Sequence, residues 1–417
     1  MTLSIKGERV NDYAVELVAE RTAYSVEEPL FDSEAAYLPM ISAEDNMTFA
    51  SISNEAMNPD TIGKMGDGVG TPSENSTVTL NSYVYGTMDG GSGDGVTPTP
   101  NGFTHALCAL LGQAHTSRAG ALLTGSPTPT EVSEAAAGNY QAGDLIPIVK
   151  DNGEVEVGVI ASSALGVHTL ALALDGAPSS GALVLGSHQI QVTNRFTQLV
   201  QGRIVHIDQG PGNDQTSPFN SKFYGGVPTQ LQFGAANRNA AQTCTITLKI
   251  ARFLRNIFAS KAGDDTFVPF ANNLSRVVLA KRGQTAGMRG DFFSVEININ
   301  NDIIASPGRG ETGTLGWVRG SDAVSTINTN WHARELAPSG FTEQYLQDIY
   351  TNRVNNFWHG IVQFGTDPGD VVAIYFPSLK IDAYPLPTEV ERIAALPLLM
   401  AVTSNSAARP LIRMLQC

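Results

Sequence analysis

Charge is the first thing this sequence is short of. Of its 417 residues, 16% are Asp, Glu, Lys or Arg, where a globular chain usually carries roughly 25%. Hydrophobic residues stand at 42%, enough for a sizeable core, so the shortage does not signal disorder. It fits surface hidden in a homo-oligomer, whose interface cores are depleted in charge. Positive charge is scarcer still: 26 Lys and Arg face 40 Asp and Glu, a net charge of −14. Residues 1–100 hold 4 basic and 16 acidic residues, and residues 101–417 the other 22 and 24. A protein that grips nucleic acid through its phosphates needs a basic patch. Tight or sequence-reading DNA binding is therefore not expected, whereas contact with DNA in passing stays open. Cysteine is rare too. Cys108, Cys244 and Cys417 are odd in number and far apart, so no disulfide framework or CxxC knuckle is legible, and buried or free thiols in a reducing compartment are expected. No apolar run reaches the about 18 residues of a membrane span, and the first ten residues lack the apolar core of a secretory signal.

Period-two alternation is what the chain has in quantity. Strands are expected at 47–53, 76–85, 201–207, 243–251, 293–300, 323–331, 357–364 and 371–376, the last bounded by Pro377. Phe103, Ala106, Leu107, Leu110 and Leu111 fall at helical spacing after Gly102. A second helix is expected at 340–350, with Phe341, Tyr345, Leu346 and Ile349 on one face. The segment TGSPTPTEVS (124–133) reads as a linker, and 55–76, 86–101 and 209–226 as long polar loops. Residues 139–194 carry short strands separated by Asp-Asn-Gly and Asp-Gly-Ala-Pro turns, which reads as a small β-barrel or β-sandwich inserted into a larger domain.

An order of elements repeats along the chain. Strands near 48 and 80, a Gly-Phe-Thr helix from 102, and strands near 203 and 247 are followed by strands near 296 and 325, a Gly-Phe-Thr helix from 340, and strands near 361 and 374. The fold class expected is mainly β: duplicated β-sandwich or barrel halves, each with one short helix, plus the small inserted β-domain. The first domain would comprise 1–138 plus 195–285, the insert 139–194, and the second domain 286–417.

No constellation for catalysis, cofactor or metal is legible, so no catalytic, cofactor-binding or metal residue is assigned and an enzyme is not expected. There is no phosphate-cradling GxxxxGK[ST] loop and no GxSxG elbow. Asp89 to Asp94 resembles a single calcium-binding nonapeptide, but such repeats need stacked copies, and a hairpin tip is the plainer reading. His332 and Glu335 form an HxxE that lacks a second histidine. The remaining histidines, His105, His115, His168, His188, His206 and His359, are scattered, without a cysteine or a second histidine at ligand spacing. The acidic cluster Glu27, Glu28, Asp32, Glu34, Glu44 and Asp45 reads as a solvated face. The basic strip Lys249, Arg252, Arg255, Lys281, Arg282 and Arg289 reads as a partner for the acidic first hundred residues of a neighbouring subunit.

The C-terminal stretch is the most informative. Ser294–Asn301, a glycine-flanked LGWVRG (315–320), the strand at 323–331, the helix at 341–350 and IYFPSLKIDAYP (374–385) follow one another in order. This order resembles the tail tube (major tail) proteins of long-tailed bacteriophages, and the 139–194 unit is similar to a small β-unit found in some of them. The resemblance covers most of the chain and rests on pattern rather than an invariant motif. It implies packed β-sheets with a helix, subunits in rings, and rings stacked into a virion tail tube. Double-stranded DNA would pass through the lumen without specific binding. Partners would be further copies of the chain, three duplicated chains with pseudo-six-fold symmetry or six chains per ring. Tail terminator, tail-tip and tape-measure proteins would join them, and no membrane. The protein would be made in the bacterial host cytoplasm. A lumen lined by negative charge would repel phosphates, the polar loops would serve ring stacking, and the insert would decorate the outside, its deletion leaving assembly intact. The competing readings are a major capsid protein, which needs a long spine helix that the pattern lacks; a β-rich enzyme; and a tail-tip adhesin.

Overall fold

Alternation at period two sets the architecture, because it gives each strand one apolar face. The structure, a computed structural model, describes residues 13–20, 36–46, 49–51, 70–72, 76–87, 93–111, 115–135, 139–191, 199–206, 221–234, 242–255, 276–289, 292–300, 302–307, 314–319, 325–332, 357–381, 388–390, 393–403 and 412–417. These residues are mainly β, every strand pair is antiparallel, and among them lies one helix, Gly102–Leu111. The second expected helix, 340–350, lies outside the described residues, as do most of the loops 55–76 and 209–226.

Six strands pair in a cycle that returns to its start. Tyr13–Glu20 pairs with Ala36–Asn46, that strand with Thr77–Tyr83, then Thr243–Lys249, Ser221–Phe233 and Leu199–His206, which pairs back with Tyr13–Glu20. A second cycle follows the same order. Arg276–Lys281 pairs with Met288–Arg289, whose chain continues two residues on as Phe292–Asn300. That strand pairs with Thr326–His332, then come Ile393–Val402, Val372–Ile381 and Phe357–Phe364, which pairs back with Arg276–Lys281.

The two cycles agree in register as well as in order. Leu17 lies opposite Gly202 and Gly202 opposite Phe223; Leu279 lies opposite Gly360 and Gly360 opposite Phe376. In both, the next pair is displaced by a bulge, to Val200–Gly226 and to Trp358–Leu379. Each glycine is required by crowding. A Cβ on Gly202 would sit 2.2 Å from the Phe223 ring and 2.9 Å from Leu17, and one on Gly360 would sit 2.5 Å from Leu279 and 2.8 Å from the Val278 carbonyl. Ser42 opposite Asn81 and Ser294 opposite Asn330 each follow a register shift. The two asparagines make the same bond, Nδ2 donating to the serine Oγ at 2.8 and 2.9 Å.

This register corrects the spacing-based match between the strands near 247 and 374. Thr243–Lys249 holds the position that Ile393–Val402 holds in the second cycle, and Val372–Ile381 corresponds to Ser221–Phe233. The polar loop expected at 209–226 overlaps the first six residues of Ser221–Phe233, a strand whose alternation Gly225, Gly226 and Pro228 interrupt. Tyr13–Glu20 was not anticipated at all. Nor does Pro377 end its strand. Three residues, Phe376 to Ser378, face two on Phe357–Phe364, so the residue without an N–H sits at a bulge, where the sheet tolerates it.

The cycles share one core. Leu17, Leu38, Leu80, Phe223 and Ile246 from the first are continuous with Ile297, Trp331, Trp358, Phe376 and Met400 from the second, and Phe233 stacks on Phe364 with ring centres 5.2 Å apart. The helix packs Phe103, Ala106 and Leu107 into this core. Its start is fixed by Asn101, whose Oδ1 accepts from the Thr104 amide while the Thr104 hydroxyl accepts from the Asn101 amide, both at 3.0 Å. Gln416, near the far end of the sequence, donates to the Tyr85 and Gly86 carbonyls at 3.0 Å and contacts Thr104, tying the C-terminal strand to this cap.

A separate closed barrel is built from Ala121–Thr124, Glu131–Glu134, Leu145–Val149, Val155–Ala164, Val167–Leu170 and Leu183–Val184. Its first two strands take up both ends of 124–133, which reads as a linker in sequence. Thr128 Oγ1 accepts from the Glu131 amide at 2.9 Å, making a tight turn rather than a spacer. The next strand, Ser187–Gln191, leaves the barrel and pairs with Arg413–Gln416.

Candidate functional site: a charge-balanced open sheet face

The half-to-half junction is itself a strand pair. Gln230 to Phe233 lie opposite Asn300 to Ile297. The sheet therefore runs unbroken through Ala36–Asn46, Thr77–Tyr83, Thr243–Lys249, Ser221–Phe233, Phe292–Asn300, Thr326–His332, Ile393–Val402 and Val372–Ile381. One face is the core. On the other, alternate residues are half-buried or exposed: Thr77, Thr79 and Asn81, then Thr243, Thr245 and Thr247, then Ser294, Glu296, Asn298 and Asn300.

Cross-strand register lines these side chains into rows. Ser42, Asn81, Thr245, Gln232, Asn298, Thr326, Ala401 and Lys380 lie opposite one another in succession, and Glu44, Thr79, Thr247, Gln230 and Asn300 form the row beside them. Hydrogen bonds knit the rows. Thr245 Oγ1 donates to Asn81 Oδ1 at 2.8 Å, and the amides of Gln232 and Asn298 both donate to Glu296 Oε1, at 3.1 and 3.0 Å. The charged positions on this face, among the described residues, are Glu44, Glu296, Lys249 and Lys380, and Lys249 Nζ donates to the Ile303 carbonyl at 3.0 Å. Two of each sign cancel. Among its described residues the face is balanced in charge, and its side chains are mostly amide and hydroxyl.

The opposite layer differs between the cycles. On the second, Val278, Ala280, Ile361, Ala373, Tyr375 and Leu415 turn away from the main core and pack against Leu145, Val155, Val157 and Leu172 of the small barrel. Polar contacts fasten this joint. Gln363 Nε2 donates to the Val155 carbonyl at 2.8 Å and its Oε1 accepts from the Val157 amide at 3.1 Å. Glu156, 5% exposed at its side chain, meets Lys150 at 3.2 Å, Arg289 at 3.4 Å and Arg276 in direct contact. Burial pushes the Arg276 guanidinium down to about 10, against the upward pull of Glu156.

The residues singled out in sequence fall as follows. Arg289 of the basic strip is held within the chain by Glu156 and by Asp175, at 3.2 Å. Glu27, Glu28, Asp32 and Glu34, the Asp89 to Ser92 part of the Gly-Asp loop, and Glu335 lie outside the described residues. His332 closes a strand. Spacing missed two groupings that the topology creates. His115 and His188 meet edge to face with ring centres 4.7 Å apart, Cys108 Sγ lying 3.7 Å from His115 Nδ1. His168 Nε2 lies 3.2 Å from Glu134 Oε1 inside the small barrel. His188 meets His115, and His168 meets Glu134, across segments distant in sequence, so no local motif announces those contacts, whereas Cys108 and His115 are seven residues apart. Among the described residues no group of three or more His, Cys, Asp or Glu is placed to hold a metal, and no helix is long and apolar enough to cross a membrane. The three cysteines are buried and form no disulfide, and burial pushes the thiols of Cys244 and Cys417 up.

No protein-family model matches this chain, and no curated protein matches it in sequence.

Proposed function

We propose that the chain is a structural subunit of a phage tail tube, made of two tube-forming halves fused in one polypeptide, and not an enzyme. The observation that carries this is the repeat of a six-strand cycle in register, down to Leu17–Gly202–Phe223 against Leu279–Gly360–Phe376, with the halves joined edge to edge. A joint of that kind is one that further copies can extend, and a ring of chains leaves no free sheet edge. Three duplicated chains make a ring with pseudo-six-fold symmetry, and stacked rings make the tube that conducts DNA from the virion. The small barrel, docked on the layer opposite the open face, then sits on the tube exterior. Tail terminator, tail-tip and tape-measure proteins are the partners at its ends and in its lumen. Negative-stain micrographs of the purified full-length chain test this. Rings or tubes are expected. Closed shells would favour a capsid role, and uniformly monomeric particles at high concentration would remove the ring-forming role.

A further inference from the structure

We infer that the charge-balanced sheet face is the surface along which DNA moves, and that it works by neutrality rather than by repulsion. This rests on the tube reading above and gives it a mechanism. Protein affinity for DNA comes chiefly from cations that displace counterions, and it falls with salt by about 0.9 log units per phosphate contact for each log unit of salt. The face offers Lys249 and Lys380 against Glu44 and Glu296, and Lys249 is already engaged with the Ile303 carbonyl. Among the described residues no net charge is left to hold phosphate or to push it away. Amides along the central row are engaged by their neighbours, Asn81 with Ser42 and Thr245, Gln232 and Asn298 with Glu296. A phosphate passing such a group exchanges one hydrogen bond for another with water, so no position traps it. The acidic excess of the chain resides mainly in residues 1–100, and of that excess the face carries Glu44.

A repelling wall and a neutral wall differ in their response to salt, because repulsion between a wall and a polyanion is screened over about 10 Å at 0.1 M. The test uses assemblies of the full-length chain, a short linear duplex DNA, and sedimentation from low to high salt with and without nuclease. Wild-type assemblies should hold little DNA, with no dependence on salt. Retention that rises with salt would show a repelling wall, retention that falls with salt a basic one, and either overturns the proposal. Assemblies carrying Asn81→Lys, Gln232→Lys and Asn298→Lys should hold DNA protected from nuclease, with a log–log salt slope steepened by about 0.9 for each lysine engaged. Asn298→Lys alone serves if the triple variant does not assemble. Bound DNA that stays open to nuclease places the face outside a lumen and overturns the inference while leaving ring formation intact. Failure of the wild-type chain to sediment as rings or tubes overturns the tube reading first, and the inference with it.

Discussion

The two cycles share a pairing order and a register but differ on the side away from the open face, and one cross-strand position shows how. Glu16 lies opposite Arg203 in the first cycle, and Val278 lies opposite Ile361 in the second. The ion pair is buried, at 3.8 Å; the aliphatic pair lies under the small barrel. The two cycles thus carry different outer surfaces, and the apolar one packs against the small barrel. The barrel leaves the chain between elements of the first cycle yet covers the second, so it ties the two halves together. Its removal uncovers the apolar layer of the second cycle, whereas the sequence reading expects its deletion to leave assembly intact.

The largest effect on this comparison should come from excising the barrel. Joining residue 119 to residue 186 uncovers Val278, Ile361, Tyr375 and Leu415. Exposure of each such side chain costs about 1.5–3 kcal/mol, together comparable with the roughly 5–15 kcal/mol that stabilises a domain. Insoluble or molten protein is expected, measured by recovery and near-UV circular dichroism. Adding Val278→Glu and Ile361→Arg, which copies the first cycle's pair, should recover soluble protein. Normal yield without those changes would show that the barrel is not a cover.

Next in size is Glu156→Ala, which leaves Arg276, Arg289 and Lys150 facing one another in a largely buried joint. Breaking a buried ionic cluster from one side costs about 3–5 kcal/mol, so a loss near the lower end is expected in denaturant unfolding, given the partial exposure of the three cations. A loss below 1 kcal/mol would mean the joint does not depend on the cluster.

The glycines sharpen the likeness rather than the difference. Gly202→Ala and Gly360→Ala should each cost about 1–3 kcal/mol through overpacking. Gly360→Ala should cost more, because its Cβ meets the Val278 carbonyl at 2.8 Å, a backbone atom, whereas Gly202 meets side chains. Two neutral substitutions would dissolve the proposed correspondence of the two cycles.

The smallest effect is on pH dependence. His359 in the second cycle stands where the first has Gln201. Burial lowers the His359 pKa from its ordinary 6.5, partly opposed by its bonds to backbone carbonyls. The folded imidazole therefore holds a proton less tightly than the unfolded one. Stability is intact above pH 6.5 and declines as the pH falls below it. His359→Gln, which imposes the first cycle's residue, should flatten that decline in unfolding curves from pH 7 to pH 5. An unchanged decline would assign it to other groups.

How much of this was legible beforehand follows from the range of the interactions. Thr77–Tyr83 and Phe292–Asn300 alternate cleanly, and their strands lie where the alternation put them. The helix after Asn101 was equally plain, since its cap and its apolar face are local. Ser221–Phe233 and Val372–Ile381 were blurred because bulges at glycine and proline break period two just where the strands bend. The rows of amide and hydroxyl groups were visible residue by residue as Thr77, Thr79, Asn81 and Thr243, Thr245, Thr247. Their union into one face depends on pairings between strands more than 150 residues apart, such as Asn81 with Thr245, and no local pattern encodes those. The covering of Val278 and Ile361 by the barrel is likewise a contact between distant segments, and from sequence those residues were indistinguishable from ordinary core.

The most direct measurement is a cross-sectional reconstruction of the assembled full-length chain by electron cryomicroscopy. Three chains per ring are expected, giving six similar wall segments, with an outer knob from the small barrel on every second segment and the Asn81–Thr245–Gln232–Asn298 row on the inner wall. Six chains per ring, a knob on every segment, or that row on the outer wall would contradict the account of two fused halves around a neutral lumen.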